Sequence, residues 1–331
     1  GAVKSWLWIF LGAVGVILST VFIFAGVAGL MASPQALVNQ NQIGRRDVIE
    51  YQYAAPWDRA MFDGFYERSE TPPEVGKIQG GIVPHHLLAG HIPASFFSAL
   101  EEQKPSLIVL IGPNHFHRGE GDIITSVRDW QTPYGTLRTS KKFMSTFVEA
   151  DLVTVDEEVM SEEHSIYSLM PFIRKSLPDA WVLPFIFRDD ASSSTLDQFV
   201  AELSRILPDD AVIVASIDFS HYQTSPVADF HDELAKSVIR SFDYDRLSAL
   251  ETDSTPSLHA FLKLMEARGA ESIAYEIHSN AAKLTGDAGA TNITSYYSPY
   301  FVAGERDTSD AVSVLNFGDI MIDRNVKKQI D

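Results

Sequence analysis

Short apolar runs that each lead to a histidine constrain the fold of this 331-residue chain more than any other feature. Three runs share this pattern: residues 80–83 before His85, residues 108–111 before His115 and residues 211–216 before His221. Such runs, rich in β-branched residues and bounded by turn residues, are typical of buried strands in a parallel sheet. Ligands of open α/β sheets collect beyond the carboxyl ends of the strands. The three histidines are therefore predicted to face one site.

Further strands and helices alternate along the rest of the chain. Apolar spacing predicts helices at residues 92–103, 141–150, 167–176, 196–207, 230–242 and 257–268, and strands at 123–126, 180–187 and 294–303. Residues 130–135 are predicted to form a turn-rich loop, because Pro133 and Gly135 interrupt them. This alternation predicts an α/β fold with a mostly parallel central sheet and helices on both faces.

Residues 6–31 contain no charged side chain and are almost wholly apolar. About 20 apolar residues in a helix cross the hydrocarbon core of a bilayer, and Trp6 and Trp8 stand where interfacial aromatic residues are common. We predict one N-terminal transmembrane helix, a single-pass anchor that leaves the globular domain extracytoplasmic. A cleaved signal peptide ending near Ala32 and a buried core helix are the alternatives.

The predicted organisation has four parts. They are a membrane anchor at residues 1–31, a linker and docked segment at 32–75, an α/β domain at 76–305, and at 306–331 a linker with the start of a further domain.

Charge and cysteine content exclude several classes of function. The formal net charge of −18 argues against a nucleic-acid partner, because phosphate backbones are bound by clustered Lys and Arg. The absence of cysteine excludes disulfides, Cys-ligated zinc and a thiol nucleophile. No Gly-rich nucleotide-binding loop and no Gly-x-Ser-x-Gly elbow occurs in the sequence.

The remaining chemistry-bearing residues are histidines and carboxylates, and they favour a metal site with oxygen and nitrogen ligands. Two histidines and one carboxylate with open positions suit non-haem Fe(II), with Zn or Mn as alternatives. A further histidine near such a metal would act as general acid or base.

Six motifs occur in the order found in a known family. They are Pro84-His85, residues 112–115, residues 130–137, residues 163–166, residues 216–221 and residues 294–296. With them, residues 76–304 resemble the Memo-like family, also labelled protein B of the AmmeMemoRadiSam system. This family is similar in fold to the class III extradiol ring-cleaving dioxygenases.

The resemblance implies a set of metal ligands. His85 and His115 match the two metal-binding histidines of the family. Memo-like proteins usually have Cys at the third position, and the dioxygenases have Glu. Alignment of the following helix places Asp253 there, with Glu251 as the second choice.

The resemblance also implies catalytic roles. His221 matches the acid/base histidine of the dioxygenases, with Asp218 nearby, and His164 matches a histidine that lines the same pocket. Asp218 acting as a turn cap is the alternative for that residue. The implied function is an iron-dependent, dioxygenase-like oxidoreductase acting on a small molecule. A non-catalytic metal-binding or accessory module and a metal-dependent hydrolase remain alternatives.

A second resemblance lies at the carboxyl end. Residues 311–324 resemble the opening strand of poly-γ-glutamate capsule-synthesis domains, which are metallophosphatase-like, and Asp319 matches their metal-binding Asp. A terminal strand added to the sheet edge is the alternative.

Overall fold

The structure is a computed structural model that describes residues 50–308. The predicted anchor at residues 6–31 and the capsule-synthesis-like segment at 311–324 both lie outside the described residues. None of the helices within residues 50–308 combines the length and the apolar character that a membrane span requires.

The described residues form eleven strands and ten α-helices. The strands are β1 (Gln52–Tyr53), β2 (Ile78–Val83), β3 (Leu107–Pro113), β4 (Ile123–Thr125), β5 (Trp130–Thr132), β6 (Gly135–Thr139), β7 (Thr154–Val155), β8 (Trp181–Phe187), β9 (Val212–Ser216), β10 (Ser272–Asn280) and β11 (Ser295–Val302). The helices are α1 (Arg59–Glu67), α2 (His91–Ala99), α3 (Lys141–Glu149), α4 (Glu157–Glu162), α5 (His164–Tyr167), α6 (Met170–Ser176), α7 (Ser193–Ile206), α8 (Ser225–Ser241), α9 (Thr255–Ala267) and α10 (Ala281–Thr285).

All strands belong to one sheet with the order β1-β5-β6-β8-β3-β9-β2-β11-β10, and β4 pairs with β7 and β8 beside this path. The five central strands, from β6 to β2, are parallel to one another. Strands β11 and β10 continue the sheet antiparallel beyond β2. The centre is parallel, as predicted, and antiparallel strands complete both sides.

Apolar side chains of the central strands alternate between two buried layers. In β3, Leu107, Val109 and Ile111 pack into one layer, and Ile108 and Leu110 pack into the other. A strand buried on both faces needs apolar residues at every position, which explains its continuous apolar run.

Helices cover both layers. Leu203 of α7 and Phe261 of α9 pack on one face, while Phe96 of α2 and Phe172 of α6 pack on the other. This confirms a mixed α/β fold with a central sheet between helices.

Two local predictions were wrong. Residues 130–135 form strand β5 and the start of β6, since Pro133 and Tyr134 make a tight turn between two paired strands. The helix predicted at 167–176 starts later than expected, since α6 covers Met170–Ser176 and only Tyr167 belongs to α5. Pro171 lies in the first turn of α6, where its missing N–H costs no hydrogen bond.

Helix α1 lies in the segment predicted as a linker with a docked part. Its Phe62 and Phe65 are buried, and both rings contact Phe172.

Candidate metal centre

The carboxyl ends of three neighbouring strands bring the predicted site residues together. Strands β3, β9 and β2 are adjacent in the sheet. His115 follows β3 by two residues, Asp218 follows β9 by two, and His85 follows β2 by two. These three side chains, with His164 and His221, line a cavity of about 700 Å³.

His85 is buried, and its ring orientation is fixed from behind. Its Nδ1 lies 3.0 Å from the Ser216 hydroxyl, and that hydroxyl donates to the Ser165 carbonyl at 2.6 Å. Ser216 therefore accepts a hydrogen bond from the protonated Nδ1 of His85. In this tautomer Nε2 carries no proton, and its lone pair is free to bind a ligand. Nε2 lies 3.3 Å from Asp253 Oδ2 and 3.6 Å from Asp218 Oδ2.

Burial, together with the neighbouring histidines, lowers the pKa of His85 well below its usual value. The imidazole is consequently neutral at physiological pH, the form that binds a metal ion.

His115 lies between two carboxylates. Its Nδ1 is 2.7 Å from Glu163 Oε1, and its Nε2 is 3.7 Å from Asp253 Oδ2. Glu163 is itself fixed because it accepts hydrogen bonds from the backbone N–H groups of His115 and Ser165. Burial acts to lower the pKa of His115, but Asp253 and Glu163 outweigh it and raise that pKa to about 10. A carboxylate behind a histidine in this manner orients the other ring nitrogen toward a metal.

Asp253 and Asp218 present carboxylate oxygens that the protein leaves unsatisfied. Asp253 Oδ2 accepts from the Asp218 backbone N–H at 3.0 Å. The Oδ1 atoms of both residues are buried and have no hydrogen-bond partner within the described part of the chain. Burial is the largest cause that raises the pKa of both carboxyls.

A buried acceptor without a partner costs free energy, and a cation bound between these residues would remove that cost. Ligand atoms of His85, Asp218 and Asp253 lie within 4.8 Å of one another, as do those of His85, His115 and His164. The donors fit a divalent ion that accepts nitrogen and oxygen ligands, such as iron, zinc or manganese.

Glu251, the second choice for the third ligand, lies elsewhere. Its Oε2 is 2.9 Å from Nδ1 of His231, a residue of helix α8. Of the two acidic residues considered for this position, Asp253 is the one that contacts the histidines.

The two predicted catalytic histidines line the same cavity in different settings. His164 stacks on His115, with ring centroids 4.0 Å apart, and contacts the His85 ring at 5.1 Å. His221 is half-buried at the wall of the cavity.

A buried carboxylate holds the loop that carries His221. Asp232 is completely buried and accepts hydrogen bonds from the hydroxyls of Ser220 and Ser295, while His278 Nε2 lies 2.7 Å away. Sequence reasoning missed Asp232, because no motif distinguishes it from Asp229 and Glu233 in the same amphipathic helix.

Sequence reasoning also missed the residues that orient the ligands. Ser216 ends the third apolar run, and Glu163 belongs to a recognised motif of which only the histidine was assigned a role. Tyr296, in the last motif, places its hydroxyl 2.8 Å from His86 Nδ1. Ser216, Glu163 and Tyr296 each lie in one of the six motifs, and this position was the sequence signal that could have identified them.

Fold and cavity together define an α/β protein with a candidate mononuclear metal centre at the carboxyl ends of its parallel strands. The model of the Memo-like protein family matches residues 51–313, and the chain belongs to this family.

Curated relatives carry the same family name. A MEMO1 family protein of Metallosphaera sedula is 30% identical over 175 residues, covering 50% of this chain and 61% of its own length. One of Pyrobaculum aerophilum is 29% identical over 181 residues, covering 53% and 64%. The chain thus spans less than two thirds of these two relatives. One of Methanococcus maripaludis is 26% identical over 259 residues, covering 73% and 88%.

Proposed function

We propose that this protein binds one divalent metal ion through His85, His115 and Asp253 and acts as a mononuclear non-haem iron oxidoreductase of the dioxygenase type. One observation carries the proposal. The Nδ1 atoms of both histidines are held by hydrogen bonds, so their Nε2 atoms converge on Asp253 Oδ2 beside two unsatisfied carboxylate oxygens.

Iron is the preferred ion because two imidazoles and one carboxylate with open positions suit Fe(II). When bound, Fe(II) would supply Lewis-acid and redox chemistry at the base of the cavity. The chain's own residues would position the substrate and move protons.

His221 would be the general acid and base, since it lines the cavity but does not belong to the group of possible metal ligands that contains Asp253 and Asp218. His164 would donate a hydrogen bond to the substrate, because its ring lies directly against that of His115. Asp218 would hold Asp253 in place, because its backbone N–H donates to Asp253 Oδ2 and its carbonyl accepts from the Asp253 backbone N–H.

Oxygen consumption separates this function from its two alternatives. The full chain is loaded anaerobically with Fe(II) or with Zn(II), and oxygen uptake is followed with a panel of small aromatic compounds. Uptake that needs both iron and a substrate, and that is lost in His221→Ala, is expected. Anaerobic turnover of ester substrates with zinc would contradict the oxidoreductase function and support a hydrolase. Metal binding without turnover of either kind would leave a metal-binding accessory module.

We also propose that residues 6–31 anchor the protein in a membrane, with the globular domain extracytoplasmic. An uninterrupted apolar segment of this length supports the proposal. The full chain should remain in the membrane fraction after an alkaline wash. Replacing two central leucines, Leu11→Asp and Leu18→Asp, should release it, whereas retention of that variant would contradict the anchor.

The domain boundaries at residues 31, 75 and 305 and the metallophosphatase-like domain after residue 306 are proposed in the same way. Their support is the sequence pattern alone.

A further inference from the structure

A second cavity lies at the amino ends of β3 and β8, whereas the metal centre lies at the carboxyl ends of the parallel strands. It has a volume of about 630 Å³, and we call it the α3 cavity. Its lining includes Ser106 and Leu107 at the amino end of β3, Trp181 at the amino end of β8, and Ser140 at the amino end of helix α3. It is therefore separate from the proposed metal chemistry.

Three cations, Arg138, Lys141 and Lys142, line the α3 cavity and form no ion pair within residues 50–308. The Arg138 guanidinium instead lies over the Trp181 ring, 4.3 Å from its centroid. In a chain with a net charge of −18, a group of unpaired cations around one cavity indicates attraction of an anion.

Helix α3 begins in this cavity with its first amides free. The N–H groups of residues 141–143 have no acceptor within residues 50–308. Amides at a helix amino terminus, reinforced by the helix dipole, bind oxyanions.

Ser140 supplies an independent sign of a ligand. It is the N-cap residue of α3, yet its side chain forms no capping hydrogen bond, although serine at this position normally does so. Ser140 is only 7% exposed, and its hydroxyl has no partner among the described residues. The residue lines the α3 cavity, so a ligand oxygen there would satisfy the hydroxyl.

One carboxylate also borders the cavity and limits how an anion can sit. Asp129 accepts the Thr139 backbone N–H at 3.0 Å, so one of its oxygens is already engaged. Leu107, Phe143 and Trp181 form an apolar and aromatic part of the wall, beside the hydroxyl side chains of Ser106 and Thr139. An anion that filled this cavity would carry an apolar part beside the charged group.

We propose that the α3 cavity binds a phosphate monoester. The phosphate oxygens accept hydrogen bonds from Ser140 and the first amides of α3, and the three cations balance the double negative charge. The ester group packs against the apolar wall. Such a group belongs either to a soluble phosphate ester or to the headgroup of a phosphatidic acid.

Three probes test the site on the full chain in mild detergent: inorganic phosphate, phenyl phosphate and the short-chain dibutanoyl phosphatidic acid. Amide signals of residues 141–143 are followed by NMR, and affinity is measured by calorimetry at constant metal content. We expect saturable shifts of these three amides and tighter binding of phenyl phosphate than of inorganic phosphate. Whichever ester binds more tightly identifies the source of the ligand, and the site stands in either case.

Variants decide whether the binding belongs to this cavity. Arg138→Gln and Lys142→Gln should each weaken phenyl phosphate binding about tenfold, and Ser140→Ala about threefold, since each removes a hydrogen bond or charge contact with the phosphate. Arg246→Gln, which removes one positive charge from a residue paired with Asp243, is the control for net charge and should leave the affinity unchanged.

The site would be ruled out by shifts that map away from residues 141–143, by an equal loss in Arg246→Gln, or by the absence of binding. Because Ser140 makes no capping bond, Ser140→Ala should keep the thermal unfolding midpoint of the parent chain. If Ser140→Ala lowers this midpoint, the effect of Arg138→Gln on phenyl phosphate binding decides whether the site exists, because Arg138 lies at an exposed position.

Discussion

At the residue scale, the site depends on how Glu163 holds His115. Glu163 is 1% exposed, and its hydrogen bond to Nδ1 fixes the tautomer of His115. Replacing Glu163 with Gln removes the charge while keeping the shape. Loss of such an orienting carboxylate typically lowers metal affinity by about 10–100-fold, and we expect this for Glu163→Gln in a chelator competition assay. Its neighbour Glu162, which is exposed and paired with Arg118, gives the matched control Glu162→Gln. Equal affinities of the two variants would contradict the orienting role.

Protonation of His115 should make metal binding depend on pH. Because its pKa is about 10 in the metal-free protein, the ring carries a proton at neutral pH that a metal ion must displace. Raising the pH removes this competition. Between pH 7 and pH 9 the affinity should therefore rise about tenfold per unit, corresponding to one proton released per metal ion. Calorimetry in buffers of different ionisation enthalpy counts that proton. His85, whose pKa is lowered, should contribute nothing in this range. A flat affinity would contradict the release of a proton from His115 on metal binding.

At the element scale, strand β2 has no space for a side chain at Gly80. A Cβ atom on Gly80 would lie 2.6 Å from the Ile213 carbonyl oxygen in β9 and 2.8 Å from Met265 in α9. The backbone atom cannot yield without moving β9, which carries Asp218. We expect Gly80→Ala to lower the free energy of unfolding by about 1–3 kcal/mol, measured by chemical denaturation.

Gly64 in helix α1 is the control for this prediction. A Cβ atom there meets only the flexible end of Arg68, at 3.4 Å. Alanine is favoured over glycine in a helix, so Gly64→Ala should be neutral or stabilising. Equal losses in both variants would show that the crowding at β2 is not the cause.

Elements with a local signal could be predicted from the sequence. The strands that carry His85 and His115 are short apolar runs closed by Pro or Gly, and burial on both faces is visible in the run itself. Strand β10 was not predicted, because it lies at the edge of the sheet and is only partly buried along most of its length. A half-exposed strand has no continuous apolar run.

The candidate site was predictable where a motif ends a strand, and less so where contacts join distant segments. His85, His115 and Asp218 follow from strand order once the strands are known. Asp253 was reached only through the family resemblance, since its contact with Asp218 joins positions 35 residues apart. The role of Ser216 depends on a hydrogen bond across the sheet that no local pattern indicates.

At the scale of the whole molecule, the metal ion should stabilise the fold. A ligand that binds only the folded state adds about 2.7 kcal/mol at a concentration 100 times its dissociation constant. The thermal unfolding midpoint should therefore rise with added Fe(II) and fall with a chelator.

Asp253→Asn should abolish the rise of the thermal unfolding midpoint with Fe(II). In the metal-free protein, the same substitution should not lower this midpoint. The raised pKa values of Asp218 and Asp253 mean that their charged forms are disfavoured in the folded state. This destabilisation grows as the pH rises above the usual carboxyl range. At neutral pH the metal-free variant should unfold at the same temperature as the parent chain or a higher one. A variant that still responds to metal would place the ligands elsewhere.

The metal content of the full chain, purified anaerobically, tests the proposed metal centre. We expect about one iron per chain, lost in both His85→Ala and Asp253→Ala and retained in Glu251→Ala, since Glu251 pairs with His231 away from the cluster. Iron lost only in His85→Ala would move the third ligand to another residue. The absence of any stoichiometric metal in the parent chain would contradict the metal centre itself.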